Sequence, residues 1–309
     1  MKGLPAPEND PAVRIYVMGT GDGKKTNEGH LNHGGYWRDE NEWPIKRTQF
    51  QTLYLHKDGS LDSFETFEHT SSITFTHNPE NPVPTIGGPL VGMFKITAPQ
   101  DGGPPEDYVP DFLDQWTLAR SNLTEVIAAG GFHQKEGPEW IAAHEPYQLL
   151  KDRDDVICFE TDALEEDVEI TGEAIVKIWV SSTAIDTDIT AKLIDVYPIS
   201  HDYPEGYHLN LTDTIMRTRY RNSWTNPEML IPGEPVQLTI KLWPTSNVFK
   251  AGHRIRLDVA SSNFPRFDVN PNTGEPVGRH TKMVKAQNTI HTSAAHPSRI
   301  ILPIIPKCD

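Results

Sequence analysis

The chain has 309 residues, of which 37% are hydrophobic and 23% charged, a composition typical of a globular protein. Its formal net charge of −15 and isoelectric point near 5.3 argue against nucleic acid or an anionic membrane as a partner, because either would be repelled. No apolar run approaches the length of a membrane span, about 18 residues, and no signal-peptide pattern follows Met1.

Cysteine usage bounds the redox environment. The two cysteines, Cys158 in an apolar strand pattern and Cys308 next to the last residue, cannot form a disulfide framework. We therefore predict that Cys158 is a buried core residue and that the protein is cytoplasmic, unless the chain is a fragment whose first residue says nothing about targeting.

The first 55 residues contain two predicted strands, Val13–Met18 and Gln49–Leu55, bounded by turn residues. Residues 29–44, GHLNHGGYWRDENEWP, lie between them and are predicted to form a structural loop. The loop contains His30, His33 and Glu40, which could suggest a metal site. Their intervals do not match the H-x-H pattern of metal-binding jelly rolls, so we predict no metal. A domain boundary is placed after residue 55.

The middle of the chain is less regular. A short strand is predicted at 72–76 and a rigid Pro/Gly-rich loop at 81–89. Between about 99 and 150 the pattern weakens, and residues 112–129 could form either an amphipathic helix or a long excursion. A loop of this length usually carries function or lies against another domain.

From residue 154 onward the β pattern is continuous. Strands are predicted at 156–159, 168–180, 189–197, 207–211, 215–220, 235–243, 283–290 and 299–304. Two alternating patterns, 236–242 and 255–259, meet across a turn and predict neighbouring antiparallel strands. Pro303 and Pro306 cannot donate a ladder hydrogen bond and predict an edge or a terminus.

Residues 242–274, LWPTSNVFKAGHRIRLDVASSNFPRFDVNPNTG, resemble the signature of the C-terminal jelly-roll domain of the CocE/NonD serine hydrolases. That family includes cocaine esterases, α-amino acid ester hydrolases and related X-Pro dipeptidyl peptidases. Residues 1–19 resemble the segment that follows the catalytic histidine in the family, and residues 29–44 resemble its connector. The resemblance implies a mostly β fold: a galactose-binding-like jelly-roll sandwich over 56–309, preceded over 1–55 by a remnant of an α/β-hydrolase domain and the connector.

The catalytic motif of such hydrolases is not found in the sequence. An α/β-hydrolase places its nucleophile in G-x-S-x-G, and no such motif occurs. A triad of Ser262, Asp268 and His280 would be an arbitrary selection, and the resemblance implies that the triad lies upstream of residue 1. We therefore assign no catalytic residue, cofactor or metal. Calcium is the alternative considered for four loop carboxylates: Asp186, Asp188, Asp195 and Asp213.

The best candidate site residues are large aromatic and arginine side chains outside the strands, which are typical of interface anchors. We predict that they face or line the cleft of a neighbouring domain. The set comprises Trp37, Arg38, Trp43, Asn263, Phe264, Arg266, Phe267 and Asp268. The alternative for Arg266 and Asp268 is an ion pair that holds a corner of the sandwich.

Two functions fit these observations. In the first, the chain is the C-terminal part of a serine hydrolase that transfers acyl groups from a small ester or amide to water, and its partner is the α/β-hydrolase domain. In the second, it is a stand-alone jelly-roll module that binds carbohydrate or another small ligand. Either function is compatible with a homo-oligomer.

Overall fold

The computed structural model describes residues 10–87, 131–138, 140–276 and 278–307, and the predicted alternatives for 112–129 fall outside these ranges. Fifteen strands and two 3₁₀ helices occur within them. The strands are β1 (Val13–Met18), β2 (Gly35–Glu40), β3 (Gln49–Leu55), β4 (Leu61–Asp62), β5 (Ser72–His77), β6 (Ile157–Glu160), β7 (Val168–Gly172), β8 (Ile175–Ser182), β9 (Asp188–Tyr197), β10 (Tyr207–Arg217), β11 (Val236–Lys241), β12 (Thr245–Phe249), β13 (Arg254–Ala260), β14 (Ala286–His291) and β15 (Arg299–Ile305). The 3₁₀ helices are η1 (Leu150–Asp152) and η2 (Thr218–Tyr220).

The strands form two sheets. The larger has eleven strands in the order β2-β1-β12-β7-β15-β8-β14-β5, with β11 added to β8 and the pair β3-β4 added to β15. The smaller sheet has the order β10-β9-β13-β6. All pairings between these strands are antiparallel except that of β1 with β12. The predicted mostly β sandwich is confirmed.

The core lies between the sheets, where the apolar faces of alternating strands meet. Val176, Ile178 and Val180 form the buried face of β8, while Leu257 and Val259 of β13 belong to the same apolar cluster. Phe159 and Phe249 lie in that cluster and are fully buried. Burial of alternate residues explains why periodicity located most of the strands.

Several predicted elements were wrong in extent or pairing. Residues 207–217 form one strand instead of two, with a bulge between Asn210 and Thr212. The two patterns around 236–259 are not neighbours, because β12 lies between them and β11 and β13 belong to different sheets. Residues 35–40, predicted as loop, form β2.

Of the prediction that Pro303 and Pro306 mark an edge or a terminus, only the terminus is confirmed: Pro306 directly follows β15, but β15 is an interior strand. Strand β15 pairs with β3 on one side and with β8 and then β7 on the other. Pro303 lies between Ile301, the last residue paired with β8, and Ile304, the first paired with β7. The missing N–H therefore falls where the partner strand changes, and an interior strand tolerates the proline.

The proposed boundary at residues 55 and 56 stays a prediction. Strands β1, β2 and β3, which precede it, hydrogen-bond into the same large sheet as the later strands. Within the described ranges, no helix is long and apolar enough to cross a membrane.

We expect Phe159→Ala to lower the free energy of unfolding by about 3–5 kcal/mol, because the side chain is fully buried and its removal leaves a cavity. The matched control is Phe67→Ala, whose side chain is 90% exposed and should change stability by about 0.5 kcal/mol or less. Chemical denaturation followed by tryptophan fluorescence measures both. Equal losses in the free energy of unfolding for the two variants would contradict the burial of Phe159 in the core.

Candidate functional site

The outer face of the β1–β2 hairpin, here called the hairpin face (Arg14, Tyr16, Trp37, Asp39 and Trp43), presents aromatic side chains to solvent. Tyr16 and Trp37 are directly opposite each other, and their rings meet edge to face with centroids 5.1 Å apart. Trp37 is 67% exposed, and Trp43, just beyond β2, is 46% exposed. Beside them the Arg14 guanidinium donates to both carboxylate oxygens of Asp39, at 2.7 and 3.1 Å. The hairpin face combines exposed aromatic area with a charged rim.

The opposite side of the hairpin is fixed to the sandwich by ion pairs. Arg38 Nη1 donates to Glu169 Oε2 of β7 at 2.6 Å, and Arg38 Nε lies 2.8 Å from Glu40 Oε1. Arg47 donates to Glu40 as well, at 2.7 Å, and this hydrogen bond lowers the pKa of the Glu40 carboxyl. Because Arg38 points inward, its neighbour Trp37 must point outward. The ion pairs thus orient the hairpin face.

The second predicted group lies in the loop after β13, here called the motif loop (residues 262–270). Its backbone is held against residues 83–85: Phe264 N–H donates to Val83 O at 3.0 Å, and Thr85 N–H donates to Phe264 O at 2.7 Å. Asn263 Nδ2 donates to Asp213 Oδ2 at 2.8 Å. The loop therefore closes over the edge of the small sheet.

Arg266 forms its ion pair with Asp213, while Asp268 is exposed. The Arg266 guanidinium also lies over the ring of Phe267, 5.0 Å from its centroid. Burial lowers the pKa of Arg266. No hydrogen bond or ion pair between described residues joins the motif loop to the hairpin face. Whether both groups face one partner stays a prediction.

Sequence reasoning missed a buried ion-pair network beneath the motif loop. The Arg217 guanidinium donates to both carboxylate oxygens of Asp188, each at 2.9 Å, and Arg219 Nε donates to Asp186 at 2.8 Å. Asn270 Nδ2 joins the two pairs, donating to Asp186 at 2.8 Å and to Asp188 at 2.7 Å. The sequence does contain a sign of this network: Asp186 and Asp188 are two residues apart, and so are Arg217 and Arg219.

This network also bears on the calcium alternative. Asp186 and Asp188 are engaged by arginine and asparagine, Asp213 by Asn263 and Arg266, and Asp195 by the side chains of Asn247 and His253. Across the described residues no group of three or more His, Cys, Asp or Glu is placed to hold a metal ion. His33, the other metal candidate, hydrogen-bonds Asn247 instead, at 2.8 Å.

The outer face of the small sheet is polar but covered by residues 81–87, 131–138 and 140–156. A row of charges crosses it in register: Asp213 of β10, Lys192 of β9 and Asp258 of β13. Arg256 donates to Asp258 at 2.7 Å and contacts His208 Nδ1 at 3.2 Å. Burial lowers the pKa of Lys192 to about 8. Charge pairing across strands lets this face be buried.

Among the described residues, neither Ser262 nor Ser181 belongs to a completed nucleophile. Ser262 Oγ accepts a hydrogen bond from Val83 N–H at 2.8 Å and is buried, whereas Asp268 and His280 are exposed. Ser181 Oγ lies 2.9 Å from His291 Nε2, but no described carboxylate contacts the other ring nitrogen. These contacts are structural.

We expect Arg219→Met to lower the free energy of unfolding by about 3–5 kcal/mol, because it leaves the buried Asp186 carboxylate without its cation. Arg254→Met is the control, since Arg254 is 41% exposed and lies 3.6 Å from Glu160; its effect should be about 0–1 kcal/mol. Urea denaturation compares the two, and a loss for Arg219→Met no larger than the control would contradict the network.

Known proteins share this architecture. Cocaine esterase of Rhodococcus sp. (strain MB1 Bresler) is 33% identical over 305 residues, which cover 96% of this chain and 42% of the esterase. An α-amino acid ester hydrolase structure superposes with a TM-score of 0.65 at 25% identity, over 98% of this chain and 42% of that one. An aminopeptidase structure from a marine sediment Thaumarchaeota archaeon has the same fold, with a TM-score of 0.67 at 23% identity over 97% and 42% of the two chains.

The chain thus spans less than half of the length of these relatives. The family model for the X-Pro dipeptidyl-peptidase C-terminal non-catalytic domain matches residues 6–301, nearly the whole sequence. The chain belongs to the X-Pro dipeptidyl-peptidase C-terminal non-catalytic domain family, as found in hydrolases of the CocE/NonD type.

Proposed function

We propose that this chain serves as the C-terminal domain of a longer CocE/NonD-type serine hydrolase, where it stabilises the α/β-hydrolase domain and forms one wall of its cleft. The observation that carries the proposal is the hairpin face: Tyr16 and Trp37 are exposed on paired strands, and Trp43 is exposed just beyond β2. Tryptophan, tyrosine and arginine are the residues most often found at energetic centres of interfaces.

The rigid mounting matters for this role. An exposed aromatic side chain on a mobile loop loses conformational entropy when it docks, whereas one on a paired strand loses less. Trp37 lies in β2, whose register with β1 is continuous from Val13 to Met18, and Arg38 fixes the strand to Glu169. The hairpin face is therefore already arranged for docking.

The motif loop supports docking less directly. Phe264, Arg266 and Phe267 are partly buried, and Arg266 is committed to Asp213. This arrangement agrees with the interpretation of an arginine that holds a corner, although its partner is Asp213 and not Asp268. We assign the motif loop a supporting role: it shapes the end of the sandwich beside the hydrolase domain.

The chemistry of the intact enzyme would be acyl transfer from a small ester or amide to water through an acyl-serine in the preceding domain. This chain would add no nucleophile, because its sequence has no strained elbow motif. Its effect on turnover would come from closing the cleft, since pockets often form where domains meet.

The docking role predicts how tryptophan variants behave in a chimera that joins the hydrolase part of the Rhodococcus cocaine esterase to this chain. Trp37→Ala and Trp43→Ala should lower the thermal midpoint and the esterase turnover, because they remove anchors on the hairpin face. Trp224→Ala is the matched control, since Trp224 is 76% exposed and lies between β10 and β11, outside the hairpin face.

Each Trp variant is also measured in the isolated chain, where the hairpin variants should leave the thermal midpoint nearly unchanged. A loss there equal to that in the chimera would show a purely internal role and contradict docking. If the parent chimera does not assemble, cross-linking between separately expressed parts replaces it, and the same variants should abolish the cross-link. Hairpin variants that behave like Trp224→Ala would refute the proposal.

The absence of an elbow serine predicts that the chain alone is not labelled stoichiometrically by a fluorophosphonate probe and does not hydrolyse p-nitrophenyl esters above background. Intact mass spectrometry measures the labelling, with the Rhodococcus cocaine esterase as the positive control. One probe molecule bound per chain would overturn this assignment, and peptide mapping would then identify the serine.

A further inference from the structure

A cavity of about 460 Å³ lies where three loops meet, away from the surfaces used above. The loop after β1 contributes residues 20–23, the end of β9 and the β9–β10 loop contribute Tyr197, Pro198, Ser200 and Tyr203, and the β12–β13 turn contributes Lys250, Ala251 and His253. We call it the tyrosine cavity. Its volume is within the range of sites for small ligands.

The histidine that lines this cavity is held in one orientation. His253 Nδ1 donates to Asp195 Oδ1 at 2.8 Å, and Asn247 Nδ2 donates to the other oxygen of the same carboxylate at 3.1 Å. Asp195 and Asn247 are completely buried. A carboxylate that accepts from Nδ1–H leaves Nε2 of a neutral imidazole as an acceptor, and no described residue hydrogen-bonds that nitrogen.

Two tyrosines supply apolar walls. The Tyr197 ring packs against His253 with centroids 4.1 Å apart, and Lys25 Nζ lies 5.2 Å from the centroid of the Tyr203 ring. The hydroxyls of Tyr197 and Tyr203 are buried and have no hydrogen-bond partner among the described residues. Both hydroxyls are shielded from solvent, so the two tyrosines contribute ring surface to the cavity and leave its hydrogen bonding to His253, Asp22 and Ser200.

The charged groups of the cavity are already paired. Lys250 Nζ lies 3.3 Å from Asp167, and Asp22 Oδ1 accepts from Asn32 Nδ2 at 2.8 Å and from Lys24 N–H at 3.1 Å. A ligand therefore needs no net charge to enter. Asp22 Oδ2, which lies 3.9 Å from Lys24 Nζ, keeps capacity to accept a hydrogen bond.

We propose that the tyrosine cavity binds a small neutral polyhydroxylated molecule, such as a monosaccharide. The rings can contact the C–H face of a sugar, and the side chains of His253, Asp22 and Ser200 can exchange hydrogen bonds with its hydroxyls. A charged ligand would compete with ion pairs that exist within the chain. This binding function is independent of docking to a hydrolase domain.

Saturation-transfer NMR on the full chain tests this with glucose, galactose, mannose and xylose at about 10 mM, which detects millimolar dissociation constants. At least one sugar should receive saturation. Ser200→Ala and Asp22→Asn should each weaken its binding about fivefold to tenfold, because each removes or alters a hydrogen-bonding group in the cavity lining. Ser63→Ala and Asp162→Asn are the matched controls, since both residues are exposed and lie outside the cavity lining; their dissociation constants should stay within about twofold of the parent value.

Thermal melting of each variant confirms that it is folded. If Asp22→Asn does not fold, Ser200→Ala alone carries the test, with the same expected loss. No saturation of any of the four sugars would overturn the proposal. Equal sugar binding by the cavity variants and the control variants would also overturn it. Tighter binding of glycine, a zwitterion, than of every sugar would do the same.

Discussion

The structure depends on pairing charges that the fold removes from water. The small sheet turns a polar face outward and then covers it, so Asp186, Asp188 and Asp258 are nearly inaccessible. An unpaired carboxylate in such a place would be strongly unfavourable, and the chain satisfies each one with an arginine brought by a neighbouring strand, by the 3₁₀ helix η2 or by the same strand. The loops that close the sandwich can be irregular because their ends are fixed by these pairs.

Much of this arrangement was accessible from the sequence. Alternation located β1, β3, β9 and β13 within a residue or two, since each has one apolar face in the core. Strand β12 escapes such reasoning, because TSNVF lacks alternation: Ser246 and Asn247 are buried and hydrogen-bonded within the sheets. Burial of polar residues through long-range partners leaves no periodic trace in the local sequence.

The candidate site, like the fold, could be predicted from the sequence only in part. Composition singled out Trp37 and Arg266 as side chains that need a partner, but it could not say which. The partner of Arg266 is Asp213, which lies 53 positions earlier on β10 and is reached only because the motif loop crosses the sheet end. The tyrosine cavity has no signature in the sequence, since its lining comes from three loops that are distant along the chain and carry no shared motif.

Strand β1 joins the body of the large sheet through a short contact. Its parallel pairing to β12 involves a single register pair, Met18 with Asn247, whereas its pairing with β2 runs the length of both strands. The hairpin is held on the body by Arg38–Glu169, by His33–Asn247 and by Leu31, which lies in an apolar cluster with Tyr197. It stays docked, but β1 and β2 have fewer ladder partners than β9, which pairs along its length with β10 and also with β13, so that amide protons of β1 and β2 should exchange earlier than those of β9.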